Sequence, residues 1–260
     1  MRRSKFDLDD FVVNKVRRIV NDGDVLVISS KFMAMGEGRT VDLRTVRVSM
    51  QAKNLANAHR IDPRVCELVL RESDEVLGGI PGFLLTVKDG LLTPNAGIDK
   101  SNVSHGKVIL YPRKPETSAK RLREALQYFL GKHVSVVVCD SRLSPMRRGT
   151  TGVAIAASGL EGVLDMRGRR DLFGNVLKVT SQGLADDLSS AAELLMGESD
   201  EGVPMVLIRG VKRSISRNAD FPSHRFAIPK EECVYMRSLR RSRPGKSEYA
   251  FKSLGGQVGR

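Results

Sequence analysis

The chain is predicted to be α+β, with helices and strands intermingled in a mixed α/β order. Segments of helical period alternate irregularly with short β-branched runs, and no internal repeat interrupts them. Two of the runs, Asp24 to Ser30 and Val134 to Cys139, are apolar enough to be strands buried on both faces. At 260 residues the chain fits one large domain or two intimate ones with a substantial core.

The elements follow in order. Residues 7–20 read as a helix, acidic in the first turn and ending on Lys15, Arg17 and Arg18, as the helix dipole favours. Asp22-Gly23 turns into the strand 24–30. Asp62 caps a second helix with Pro63 at its first position, and Val65, Leu68, Val69, Val76 and Leu77 keep a helical period. Thr117 caps a third, with Leu122, Ala125, Leu126 and Phe129 on one face and Gly131 as its stop. The strand beginning at Val134 ends at Asp140. Residues 175–182 read as a strand. Leu184 to Met196 is an amphipathic helix with Leu184, Leu188, Ala191, Ala192 and Leu195 inward, and Val203 to Ile208 is a further strand. Beyond Gly210 the chain is Arg-rich and weakly patterned, with one last helix expected from Pro229 to about Arg240-Arg241.

Composition narrows the function classes. Hydrophobic residues are 41% and charged residues 28%, an ordinary globular mix. No segment approaches the ~20 apolar residues of a membrane span. No signal or transit peptide is read after MRRS, and the three separated cysteines suit reduced thiols, so a cytoplasmic location is expected. The net charge of +13 favours anionic partners: nucleotides, phosphorylated metabolites or nucleic acid. For nucleic acid, an aromatic content of 5% gives few stacking platforms.

Three stretches carry candidate chemistry. NAGIDKSN, Asn95 to Asn102, follows the apolar run Phe83 to Val87. It flanks Asp99 with small and amide residues, and no lysine partner is expected for it. That suits a cation and a phosphorylated ligand; a plain surface turn reads the same way. Asp140-Ser141 stands at the end of a buried strand, where a carboxylate and a hydroxyl offer the hard oxygens magnesium or manganese prefers. Arg147 and Arg148 in the next loop could clamp phosphate, or be solvated charge. The loop after Met196 packs Glu198, Asp200 and Glu201 into four positions. Glu198, fixed at the helix stop, is a candidate metal ligand, and the other two read better as solvated. No Walker A loop, GxGxxG or HExxH is present, and Cys139 reads as part of the buried strand.

DGDVLVISSK, EGR, NAGIDKSN, the strand-Asp-Ser followed by RRGxxGxA, GRRDLFG and ADDLxxAAELLMGExxxGVPxVLIRG occur in that order. Together they resemble the coenzyme F420-0:L-glutamate ligase family, the CofE gamma-glutamyl ligases, over roughly residues 20 to 210. The resemblance implies a two-lobed fold of mixed sheets and packed helices over residues 1–210; the basic extension, 211–260, expected to be partly helical or disordered, matches no feature of the family. It implies a GTP-dependent ligase that adds L-glutamate to the carboxylate of coenzyme F420-0 through an acyl phosphate. Manganese or magnesium, a potassium ion and a homodimer are implied with it. Matched residue by residue, Asp99, Asp140, Ser141 and Glu198 are the implied metal ligands. Ser30, Asn102 and the loop Gly197, Glu198, Ser199, Asp200, Glu201, Gly202 and Val203 are the implied nucleotide contacts.

The chain also departs from the family. The usual Gly/Pro-rich opening strand is not recognisable in MRRSKFDLDDFVV. A family lysine before EGR is matched by Met35, which cannot replace an ammonium on phosphate. Lys31, four residues earlier, could supply that charge, but on a strand it need not point the same way. These departures leave open a divergent paralogue with another nucleotide or acceptor, or a nucleic-acid-binding protein on a former ligase scaffold.

Overall fold

The computed structural model describes residues 6–211 and 215–240. Residues up to Ala227 belong to one compact unit, and those from Ile228 to a second.

The first unit is built on a five-stranded sheet. It contains β1 (Val25–Ser29), β7 (Ser135–Leu143), β8 (Thr150–Leu160), β11 (Met205–Ile208) and β12 (Ile215–Phe221), in the order β11-β1-β7-β8-β12. β1 and β7 are parallel, and the other neighbours antiparallel. Strand side chains alternate between faces, and here both faces are buried. Leu26, Ile28, Val136 and Val138 pack on α1 (Leu8–Val16), α2 (Ser30–Gly36) and α5 (Pro115–Leu130). Val25, Val27, Val137 and Cys139 pack on α6 (Leu184–Met196).

A separate core joins α3 (Met50–His59) and α4 (Pro63–Glu72) to the meander β3 (Glu75–Ile80), β4 (Phe83–Lys88) and β5 (Leu91–Pro94). It is flanked by the pair β2 (Thr40–Asp42) and β6 (Lys107–Ile109). The remaining pair, β9 (Leu164–Asp165) and β10 (Ser181–Gln182), closes an exposed loop. The α+β class is therefore observed, and no helix among the described residues is long and apolar enough to cross a membrane.

Several boundaries differ from expectation. α1 stops at Val16. Ser30 opens α2 instead of ending β1. α4 ends at Glu72, so Val76 and Leu77 lie on β3, where adjacent side chains point to opposite faces of the sheet. α5 starts at Pro115, with Thr117 already inside it and Phe129 exposed. On α6, Ala185, Ser189 and Met196 are buried, whereas Ala191 and Leu195 face out. β7 runs past Asp140 to Leu143 because β8 continues to pair with it. The strand expected over 175–182 reduces to β10. In the second unit, the amides of Glu232 and Cys233 turn back onto the Pro229 carbonyl, and α7 spans Val234–Arg240. Arg241 and the rest of the expected basic tail lie outside the described residues.

Candidate active site

β1 and β7 deliver their C-terminal ends to the same side of the sheet, where α/β sheets commonly bind ligands. A cavity of about 520 Å³ opens there. Its walls come from the start of α2, the segments 93–102 and 109–112, β7, and the end of α6 with the loop after it.

Alternation along β7 sends Asp140 toward α2 and Ser141 toward α6. Asp140 Oδ1 accepts the Ser30 hydroxyl at 2.6 Å, and Oδ2 accepts Arg142 Nε at 3.0 Å. Arg142 is buried and donates through Nη1 to Thr93 Oγ1 at 2.7 Å and to the Leu92 carbonyl, tying β7 to β5. Among the described residues, its Nη2 and the Tyr111 hydroxyl are buried without a hydrogen-bond partner. Burial holds the Tyr111 phenol protonated, well above its usual range.

On the α6 side, Ser141 Oγ lies 2.6 Å from Glu193 Oε1 and 2.6 Å from Glu198 Oε1, and Thr150 Oγ1 donates to Glu198 Oε1 at 2.9 Å. One hydroxyl has one proton, so Ser141 can donate to only one of the two carboxylates. Burial, then the neighbouring Glu198, push the Glu193 carboxyl up to about 7. Burial also opposes charge on Glu198, but hydrogen bonds from Glu193, Ser141 and Thr150 outweigh it and its net shift is downward. The two carboxyls share a proton as a pair. Glu193 was not singled out in the sequence. Its signal is position: it lies one turn after buried Ser189 and three residues before buried Met196, at the edge of the packed face of α6.

Asp99 sits across the cavity and is not without a lysine. Lys31 Nζ is 2.6 Å from its Oδ2 and donates to Ser101 Oγ at 2.6 Å, while the Ser101 amide donates to Asp99 Oδ1 at 2.6 Å. Burial disfavours the Asp99 charge, but Lys31 and Ser101 outweigh it and hold the carboxyl below its ordinary range. Lys31 and Met35 lie four residues apart on α2 and line the same cavity, so Lys31 does face the space in front of Met35.

The remaining candidates divide. Asn102 Nδ2 donates to the Ser199 carbonyl at 2.7 Å, joining NAGIDKSN to the loop after α6. Gly197, Glu198, Ser199, Asp200, Gly202 and Val203 line the cavity; Glu201 instead accepts the Ser199 amide at 2.8 Å. Asn95 serves the fold, accepting the Leu84 amide at 2.8 Å. Gly97 has φ +71°, and a Cβ there would stand 2.5 Å from the Tyr111 ring, so the loop needs this glycine to close on that wall. Arg147 and Arg148 occupy the exposed β7–β8 hairpin and do not line the cavity. Cys139 is buried, and burial pushes its thiol up to about 12, which keeps it unreactive.

Among the described residues no three Asp, Glu, His or Cys side chains converge into a protein-only metal cage. Phosphate-bound magnesium needs only one or two carboxylates, with substrate and water completing the shell. The hard oxygens of Asp140, Ser141, Glu193 and Glu198 fit that requirement. The crowding of two carboxyls on one hydroxyl is a charge arrangement that a divalent cation would relieve.

A sequence model of the family described as F420-0:Gamma-glutamyl ligase matches residues 2–210. The chain is 43% identical over 199 residues to a coenzyme F420:L-glutamate ligase of Methanopyrus kandleri, covering 76% of this chain and 79% of that protein. The protein of the same name from Archaeoglobus fulgidus is 40% identical over 79% of this chain and 82% of its own length. That from Methanocaldococcus jannaschii is 37% identical over 83% and 86%. The family match spans every segment that lines the cavity: this chain belongs to the F420-0:gamma-glutamyl ligase family and is an enzyme of the amide-forming ligase class.

Proposed function

We propose that this cavity joins L-glutamate to the carboxylate of coenzyme F420-0 at the expense of GTP, with magnesium or manganese bound. The observation that carries the reading is the row of hard-oxygen donors, Asp140, Ser141, Glu193 and Glu198, facing Lys31 and Asn102 across one cavity. A carboxylate is a poor electrophile, and transfer of the γ-phosphoryl group converts it to an acyl phosphate with a good leaving group. The glutamate amine then attacks the acyl carbon, and phosphate departs with an oxygen from the carboxylate. The divalent cation, when bound, offsets charge on the phosphates and leaves the transferred group open to attack. Ser30 and Arg142 hold Asp140 from both sides, so its carboxylate presents a fixed orientation. The Asn102 bond to Ser199 fixes the loop at Gly202 and Val203 against the nucleotide.

A homodimer and a supporting potassium ion belong to the same reading. The exposed apolar side chains of Leu172, Phe173 and Val179, on the loop between β9 and β10, are the surface we assign to the second copy. A second reading, with another triphosphate or acceptor, is favoured by Met35, whose thioether lines the cavity where the family resemblance implies an ammonium. Incubation with manganese, glutamate, F420-0 and either GTP or ATP, followed by mass spectrometry, tests both. Glutamyl addition with GTP supports the first reading, addition only with ATP supports the second, and none with either refutes the ligase assignment to this acceptor.

A further inference from the structure

The ammonium of Lys31 stands on the carboxylate of Asp99. The 2.6 Å contact engages Oδ2, and Ser101 holds both partners, its amide on Asp99 Oδ1 and its hydroxyl on the ammonium. Both side chains remain partly exposed toward the cavity, 26% for Lys31 and 37% for Asp99. A divalent cation approaching Oδ2 meets a positive charge already in contact with it, so metal and Lys31 compete for one carboxylate. Lysine is a compact charge on a flexible stem, so it can change partner without moving α2. The cavity it would swing across is lined by Asn102, Ser199 and Gly202 and also by the carboxylates of Asp140, Glu193, Glu198 and Asp200, for which phosphate-bound metal would compete with the ammonium.

We propose that the Lys31–Asp99 pair is a latch: the ammonium masks Asp99 until a nucleoside triphosphate draws it onto the phosphates, and only then does Asp99 accept a cation. The inference rests on the triphosphate reading above. It makes Lys31 the phosphate-binding ammonium of this chain, in front of Met35 on the same face of the helix. By linkage, metal and nucleotide then bind with positive cooperativity, each favouring the state with Lys31 off Asp99.

The test uses the full chain and two separate titrations: manganese alone, followed by electron paramagnetic resonance, and a non-hydrolysable GTP analogue alone, followed by calorimetry. Lys31→Met is expected to bind manganese about tenfold more tightly than the unsubstituted protein, and the analogue about tenfold more weakly. Lys31→Arg keeps the charge and is expected to stay within about threefold on both, which also controls for folding. Adding Asp99→Asn to Lys31→Met is expected to abolish the gain in manganese affinity, which assigns the gain to Asp99. If Lys31→Met binds manganese no more tightly, or the analogue no more weakly, the latch is overturned while the ligase reading stands. If the unsubstituted protein binds no analogue even with manganese, the triphosphate reading fails and the latch with it.

Discussion

Glu193 and Glu198 each place an Oε1 2.6 Å from the single hydroxyl of Ser141. Five residues apart across the end of α6, they meet because β7 aims Ser141 at that helix end. The Glu193 carboxyl, raised to about 7, keeps a proton in the folded protein that the unfolded chain releases near its ordinary carboxylate range. The sign follows from linkage. This contribution to stability is complete below the unfolded value and is lost as the pH rises toward 7. Glu193→Gln carries no such proton, so its stability relative to the metal-free parent should grow from about pH 5 to about pH 7. Denaturant unfolding across that range checks it, and a constant difference would show that the pair shares no proton.

Glu198→Gln removes the like charge beside Glu193 while keeping an oxygen donor. The Glu193 carboxyl should then titrate lower than about 7. Carbon-13 NMR of the glutamate side chains reads this directly.

Asp140 is the partner that compensates the buried Arg142 charge. Asp140→Ala should destabilise the fold by about 3 kcal/mol, because it strands that guanidinium. Asp140→Asn keeps the shape and should fold, yet lower manganese affinity by roughly 100-fold. Calorimetric unfolding and metal titration separate the two effects.

Gly152 on β8 lies under α6, where a Cβ would come within 2.5 Å of the Ser189 carbonyl oxygen and 3.0 Å of Cys139 Sγ. Gly152→Ala should cost about 1–3 kcal/mol by forcing α6 off the sheet. Because α6 carries Glu193, turnover should fall along with thermal stability.

Much of this arrangement was legible in the sequence because β-branched runs and helix caps are local signals. Asp62 and Pro63 opened α4 as read, and Val134 to Cys139 formed the buried part of β7. β8 escaped notice because Thr150 to Leu160 is rich in glycine and alanine, small residues that serve the approach of α6 instead of strand propensity. The direction of Lys31 stayed open in the sequence because the strand reads on to Ser30, and the strand period hides the helical one that pairs Lys31 with Met35. The Lys31–Asp99 and Ser141–Glu193 contacts join residues far apart in the chain, which no local pattern reveals.

The most direct test of the central claim follows oxygen. F420-0 carrying oxygen-18 in its acceptor carboxylate is incubated with the enzyme, GTP, manganese and glutamate, and the released phosphate is examined by mass spectrometry. Activation as an acyl phosphate predicts one labelled oxygen in each phosphate formed with product. Glutamyl product accompanied by unlabelled phosphate would contradict it.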